Sequence, residues 1–349
     1  PFLVPIANSS ASVRVLDREF SNTGMIVIGE DLSKPLRYMR CDHSILGGRW
    51  LYIPKPDQTP LLGETIYSVF SLQEAGILAK RAPSTVTPRT IDSFFSGLGV
   101  GVSVNFFIQH GFHTTVVEID PVVYKFARQY FGMHEPRSVH IEDARAWVHS
   151  RILNQATQLP EFQYDYIIHD CFSGGGVPEH IFTVEFWKEL KLLLKDDGVL
   201  TVNFVGRWNS PAAHAVTATL LSLFTSCRAF HDSSYPVDVW EETPFLNIVF
   251  FCTDQSTLDF RTVTSDDYLD SGSSQHMLAT LPEREVPLSR LLGASNSSDD
   301  ALGRFNPTEQ RDWIITDKHN QLNKWQGELS SEHFAIMQDI LPQEVWNAY

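Results

Sequence analysis

Residues 91–120 read IDSFFSGLGVGVSVNFFIQHGFHTTVVEID, and their reading decides the fold. Residues 91–96 form a short apolar run rich in β-formers, which breaks at Gly97. Gly97, Gly99 and Gly101 alternate through the turn that follows. Residues 102–110 carry a helical pattern stopped by Gly111, and residues 114–119 are a second β-branched run that closes on Glu118 and Asp120. Strand, turn, helix and strand within about 30 residues make a parallel βαβ unit. Glycine permits positive φ and lets a ligand approach the backbone. The helix after the turn points unpaired N–H groups at whatever sits there. An acid about 20 residues later, at the end of the second strand, can accept from ribose hydroxyls, and Glu118 has that spacing from Gly97. The unit therefore reads as a nucleoside-binding site. A dinucleotide is a poor fit, because the third glycine of that fingerprint falls at Val102 or Val104, depending on register. The lysine and Ser/Thr of a Walker loop are also missing. A nucleoside without a pyrophosphate fits better, and S-adenosylmethionine is the common one.

The pattern continues downstream. Residues 121–131 read as a helix with proline at its first position, and residues 138–141 as a strand ending in Glu142-Asp143-Ala144. Residues 164–169 form another strand, ending at Asp170. Thr183 is placed to cap a helix bearing Phe186, Leu190, Leu193 and Leu194, with Gly198 as its stop. Residues 199–204 and 245–252 read as strands, with a helix over 211–224 between them. Strands alternating with helices predict an α/β fold with a mostly parallel sheet covered on both faces. Upstream, residues 1–80 read as a β-rich front piece, with short strands at 12–17, 24–28, 36–41 and 50–53 and helical spacing over 63–80. Residues 255–312 are rich in Ser, Asp and Thr and read as surface loops, and a final helix is predicted over 331–340. The expected organisation is a β-hairpin domain over 1–80, a nucleoside-binding catalytic domain over 81–255, and a loop-rich extension over 256–349 ending in a helix.

Composition narrows the partners. The 349 residues carry a net charge of −15, which argues against nucleic acid and suits a cationic or neutral substrate. Cys41, Cys171, Cys227 and Cys252 are scattered without CxxC spacing, so neither a metal site nor a disulfide framework is expected. A reducing compartment is the default for such a pattern. No run approaches the ~18 apolar residues of a membrane span. The sequence begins at Pro1, so the chain reads as a fragment whose upstream segment is out of view.

In an open parallel sheet, ligands bind beyond the carboxyl ends of the strands. Four strand ends here carry glycines or acids: Gly97 to Gly101, Glu118, Asp143 and Asp170. Asp170 is the strongest catalytic candidate, since it follows an apolar strand and precedes Ser173-Gly174-Gly175-Gly176, a segment able to lie close to a substrate. A carboxylate there can take a proton or hold a cation. His169 sits within the strand and reads as a packed core residue, and Cys171 as a plain buried thiol.

The order of these features resembles the spermidine synthase-like family of S-adenosylmethionine-fold transferases. The matching stretches are MRCDHSILGGRW (39–50), GETIYSVF (63–70), SGLGVGV (96–102), VVEIDP (116–121), EDARAW (142–147), HDCFSGGGVP (169–178) and GVLTVNFVG (198–206), with ITDKHNQL (315–322) similar to a late motif of many family members. The resemblance implies a Rossmann-like seven-stranded domain behind a small N-terminal β-domain, often as a homodimer. By position it implies that Gly97, Gly99 and Gly101 line the cofactor and that Glu118 holds the ribose. It further implies that Asp143 and Ala144 meet the adenine, that Asp170 is the catalytic acid-base group, and that Tyr67 is a substrate-site tyrosine. Three positions depart from the family pattern. An acid expected to meet the aminopropyl ammonium is Val100, a second acid is Ser173, and a front-hairpin glutamine is Leu46. A buried ammonium without a carboxylate costs several kcal/mol.

The expected function is therefore transfer of a methyl or aminocarboxypropyl group from S-adenosylmethionine to a nucleophilic small-molecule acceptor, an amine among the candidates, with no metal. One alternative is an aminopropyltransferase that makes polyamines from decarboxylated S-adenosylmethionine. Its missing acids would then come from Asp42, Asp238, Glu241, Glu242 or Asp317. A second alternative is a non-catalytic nucleoside-binding or scaffold module. The expected setting is a soluble domain on the cytoplasmic side, or a fragment of a membrane-attached protein.

Overall fold

The computed structural model describes residues 13–52, 60–81, 90–154, 163–172, 175–234, 245–293 and 310–347. Five antiparallel strands open the chain and pair in sequence order: β1 (Val13–Ser21), β2 (Gly24–Asp31), β3 (Leu36–Cys41), β4 (Ser44–Tyr52) and β5 (Leu61–Thr65). A long helix over 63–80 is not what forms. Residues 61–65 pair with β4, and the helical turn is split between α1 (Ser68–Gln73) and a 3-10 turn over Glu74–Leu78. The apolar spacing there serves burial of Val69, Phe70 and Leu72 against the larger sheet.

That larger sheet is built from β6 (Asp92–Ser96), β7 (His113–Glu118), β8 (Ser138–Ile141), β9 (Tyr164–His169), β10 (Leu194–Arg207), β11 (Ser226–His231), β12 (Phe245–Thr253) and the two-residue β13 (Glu285–Val286). Its order is β13-β11-β12-β10-β9-β6-β7-β8. From β10 through β8 neighbouring strands run parallel, and from β10 through β13 they run antiparallel. Successive strand residues face opposite sides. Phe94, Val117 and Ile167 thus pack on one face with α4 (Ala144–Asn154), α5 (Val184–Leu192) and α6 (Pro211–Leu221). Phe95, Val116 and Ile168 pack on the other with α1, α2 (Val102–Gln109) and α3 (Pro121–Phe131). This is the Rossmann-like α/β architecture with a β-rich front piece expected from the sequence, with seven longer strands and one short edge strand.

Three local expectations change. Thr183 does cap α5, accepting from the Phe186 N–H, but the helix ends at Leu192 and Gly198 lies inside β10. Residues 255–293 hold more regular structure than their polar composition suggests. Ser271 caps α7 (Gly272–Ala279), whose Met277 and Leu278 are buried, and α8 (Leu288–Leu291) follows. Cys227 and Cys252 form a disulfide, against the expectation from their scatter. They sit opposite one another in the β11–β12 register, so 25 residues of separation become a cross-strand pair.

The chain closes with α9 (Leu322–Ile340) and α10 (Gln343–Asn347). No helix among the described residues is long and apolar enough to cross a membrane.

Candidate functional site

The carboxyl ends of β6, β7, β8 and β9 converge on one cavity of about 890 Å³. Gly97, Gly99, Glu118, Asp143, Ala144, Asp170 and Tyr67 all line it. Gly101 lies behind the lining, where it caps α2 in the left-handed conformation at φ 78°.

The glycine turn is shaped by close backbone approaches. Gly97 has φ +91°, and a Cβ there would lie 2.1 Å from the Asp170 carbonyl oxygen. Gly99 has φ +55°, and its Cβ would meet the Leu46 carbonyl oxygen at 2.7 Å. Only glycine adopts such φ values without strain and leaves the gap open. The turn is therefore wedged between the end of β9 and the front hairpin.

Glu118 ends β7 and is buried, its Oε1 accepting from the Asp120 N–H at 2.9 Å. Burial pushes its carboxyl up to about 7, against the pull of the backbone N–H groups around it. Asp120, the second acid of the motif, has another task. It caps α3 through Val122 and Val123, and it accepts from the Ser21 and Thr23 hydroxyls at 2.6 Å each. The β1–β2 turn is thereby fastened beside the nucleoside turn.

Asp143 accepts from the Ala146 N–H at 2.9 Å, at the start of α4, and its Oδ2 lies 3.0 Å from His180 Nε2. Burial opposes its ionisation, but the hydrogen bonds from His180 and Ala146 hold its carboxyl below the usual range. The neighbouring Arg145 forks onto Asp317 and donates to the His180 carbonyl at 2.6 Å. The late ITDKHNQL motif therefore braces this edge of the cavity, with Asn320 donating to the Glu179 carbonyl at 2.9 Å.

Asp170 is clamped between two amides. Gln73 Nε2 donates to one oxygen at 2.6 Å and Asn203 Nδ2 to the other at 2.9 Å. Gln73 is itself oriented by the Ser103 hydroxyl, which donates to its Oε1 at 2.8 Å. Burial raises the Asp170 carboxyl, and the two amide donors work against that rise. Asn203 Nδ2 also lies 3.2 Å from Asn247 Oδ1, and Asn247 Nδ2 donates to Asp232 at 2.7 Å. An amide-bridged path thus joins Asp170 to a second carboxylate on the same cavity wall.

Tyr67 caps the start of α1 in extended conformation, and its hydroxyl lies 3.4 Å from Met337 Sδ. Burial pushes its phenol up. Met337 belongs to α9, which crosses the cavity and contributes His333, Phe334, Ile336 and Met337 to its lining. The ring of His333 packs edge-on to Phe172 at 5.0 Å, and Phe245 lies 5.4 Å away. Gln326 holds α9 to the segment after β9, accepting from the Val177 N–H at 2.8 Å and donating to its carbonyl at 3.2 Å.

His169 packs against Phe182 and Phe186, and burial lowers it to about 3, so it is a neutral core residue. The Cys171 thiol is pushed up by burial and sits 3.1 Å from the Ser96 hydroxyl. Val100 packs in the core, where its methyls face Gly47, and it is absent from the cavity lining. Leu46 lines the cavity. Of the acids considered as replacements, Asp42 lines the cavity and Asp317 is engaged by Arg145. Ser173, Asp238, Glu241 and Glu242 lie outside the described residues.

Sequence reading missed Gln73, Asn203, Asn247, Asp232 and the α9 wall. One signal was present: Asn203 is a lone amide in the run VLTVNFV, whose other residues are apolar apart from Thr201. Asn247 and Asp232 become its neighbours through sheet pairing, Gln73 and the α9 wall through helix packing.

Comparison with known proteins agrees with this architecture. Residues 102–219 match the family described as the spermine/spermidine synthase domain. The chain is 37% identical over 341 residues to an N-terminal histidine N-methyltransferase of Emericella nidulans, covering 95% of this chain and 57% of that protein. It is 42% identical over 94 residues to a polyamine aminopropyltransferase of Vibrio vulnificus, covering 26% of this chain and 29% of that one. The chain thus spans little more than half the length of the first relative. Among solved structures, a probable spermidine synthase from Corynebacterium glutamicum superposes with a TM-score of 0.55 at 16% identity, over 83% of this chain and 96% of that one. In motif order, sheet topology and sequence similarity, the chain resembles the spermidine synthase-like family of S-adenosylmethionine-fold transferases.

Proposed function

We propose that this chain is an S-adenosylmethionine-dependent methyltransferase whose acceptor is a nitrogen of an N-terminal histidine. The observation that carries the reading is the clamped carboxylate of Asp170, set beside the glycine turn in a cavity that Phe172, Phe245 and Phe334 also line. The relative with 37% identity is named for that reaction. The position at which the family resemblance implies an acid for the aminopropyl ammonium is the buried, apolar Val100, so no carboxylate is offered from it, which disfavours decarboxylated S-adenosylmethionine.

The residues present fit the nucleoside. Gly97 and Gly99 line the cavity beside it, Glu118 can accept from the ribose hydroxyls, and Asp143 with Ala144 would border the adenine end. When bound, S-adenosylmethionine supplies a methyl group on a positively charged sulfur, which leaves as a neutral thioether. The nucleophile must lie in line with that methyl, about 3 to 3.5 Å from it. Histidine near pH 7 offers a neutral imidazole, whereas an α-amine with a pKa of about 7.7–8.0 is largely protonated. An unprotonated ring nitrogen placed there would take the methyl as the carbon–sulfur bond breaks, and the ring would stay cationic until its N–H proton left. Asp170 can orient that N–H and take the proton. Gln73 and Asn203 fix the carboxylate, each donating to one oxygen, and leave each oxygen a further lone pair in a residue that lines the cavity.

The test is incubation with S-adenosylmethionine, or with its decarboxylated form, and a short peptide beginning with histidine. Gain of one methyl on the histidine ring with the intact cofactor is expected. Aminopropylation of putrescine with the decarboxylated form, and no reaction of the peptide, would reverse the assignment.

A pH effect follows from Glu118. Its carboxyl lies near 7 in the free protein, and ribose hydroxyls donate only to the ionised form in the way the reading requires. Binding of S-adenosylhomocysteine should therefore release a proton around neutrality. Affinity should be full above pH 7 and decline below it, by up to about tenfold per pH unit. Titration calorimetry in buffers of different ionisation enthalpy reads the proton directly. A pH-independent affinity between 5.5 and 8 would remove Glu118 from ribose binding.

A further inference from the structure

The proposed reaction uses Asp170 and leaves Asp232 without a task. Asp232 follows β11, and its Oδ1 and Oδ2 accept from the Asn247 N–H at 3.1 Å and Asn247 Nδ2 at 2.7 Å. Each oxygen retains capacity for a further donor. The side chain lines the same cavity as Asp170. Burial raises its carboxyl, with the Asn247 donors opposing.

Arg284 acts on this carboxylate through its charge, favouring the ionised form, but no hydrogen bond joins the two among the described residues. Arg284 donates to the Ser233 carbonyl at 2.8 Å and the Thr280 hydroxyl at 2.8 Å, and its third nitrogen lies 3.1 Å from His276. Asp232 forms no ion pair among the described residues. A carboxylate held in a cavity wall without a bonded cation is a site for one brought by a ligand. A second observation points the same way. Asn203 is 4% exposed and lines the cavity, and its Oδ1 has no hydrogen-bond partner among the described residues. The amide that joins the two acids thus retains an unused acceptor.

We infer that Asp232, seated on Asn247, binds the α-ammonium of the acceptor's first residue while Asp170 addresses its ring. This rests on the histidine reading of the site and deepens it. The substrate class is a peptide with a free amino terminus. The two recognised groups of an N-terminal histidine, ring and ammonium, correspond to the two carboxylates of one wall. The amide path Asp170–Asn203–Asn247–Asp232 fixes their separation. Phe245, the first residue of β12, lines the cavity on the same side and offers an apolar face to the ring. An internal histidine, or one with a blocked amine, would leave Asp232 without a bonded cation. Selectivity for the chain terminus then comes from that missing contact.

The experiment is titration of the protein, saturated with S-adenosylhomocysteine, with two peptides, His-Gly-Gly amide and its N-acetylated form. The expected result is 10- to 100-fold weaker binding of the acetylated peptide to the wild type, on the order of one charge-assisted contact. In Asp232→Asn, an isosteric change, that preference should collapse to within about twofold, with S-adenosylhomocysteine affinity unchanged. If that variant does not fold, Asp232→Glu should keep a reduced preference. A variant that retains the full preference overturns the ammonium site while leaving the histidine reading intact. Failure of the wild type to bind either peptide overturns the reading itself. Tighter binding of putrescine than of the free-amine peptide would overturn both in favour of a diamine.

Discussion

Asp170→Asn lowers turnover by on the order of 10²- to 10⁴-fold, the usual weight of a positioned general base, while S-adenosylhomocysteine affinity stays within about twofold. The loss follows from the clamp. Gln73 and Asn203 both donate to Asp170, so an amide there must turn one of its own N–H groups against a donor. It can neither accept the ring proton nor keep both contacts. Single-turnover transfer to a histidine peptide separates chemistry from release. Unchanged single-turnover rates would take Asp170 out of the reaction, and the carboxylate would then serve only to bridge α1 and β10.

The second large effect is expected at Gly97→Ala. The new Cβ would fall 2.1 Å from the Asp170 carbonyl oxygen, which is backbone and has no side-chain freedom with which to yield. The residue must also hold φ +91°, a region that alanine rarely adopts. The ends of β6 and β9 have to separate, at a cost of about 2–4 kcal/mol in stability and at least tenfold in nucleoside affinity. Gly111→Ala is the internal control. Its φ is +78°, but nothing lies within 4 Å of its Cβ, so about 1 kcal/mol of local strain and normal binding are expected. Denaturant melts with S-adenosylhomocysteine titrations read both quantities. Equal effects at the two positions would mean that φ, and not proximity to β9, governs the turn.

The parts of this molecule legible in the sequence are those made by neighbours along the chain. The βαβ unit of 91–120 was readable because strand, turn, helix and acid sit within one short stretch. The same holds for Pro121 opening α3 and for Thr183 capping α5. Strand ends bearing Glu118, Asp143 and Asp170 were readable because a parallel sheet gathers its carboxyl ends at one edge. Contacts set by register were not. Asn203 meets Asn247 because β10 and β12 run antiparallel, and nothing in the spacing of 44 residues announces it. The Cys227–Cys252 bond has the same origin. Nor does periodicity reveal that α9 turns back over the cavity, since an amphipathic helix does not say which surface it will cover. The polar residues after 255 misled for a physical reason. Ser271 and Thr264 are helix caps, and caps and loops favour the same residue types.

The wall made by α9 also sets an order of events during synthesis. Everything needed for the nucleoside turn has been made once β12 ends at Thr253, whereas His333, Phe334 and Met337 come some 80 residues later. At about 5–20 residues per second, a ribosome leaves an interval on the order of ten seconds between the two. During that interval the nascent chain has a cofactor cradle but no facing wall against which an acceptor could be aligned.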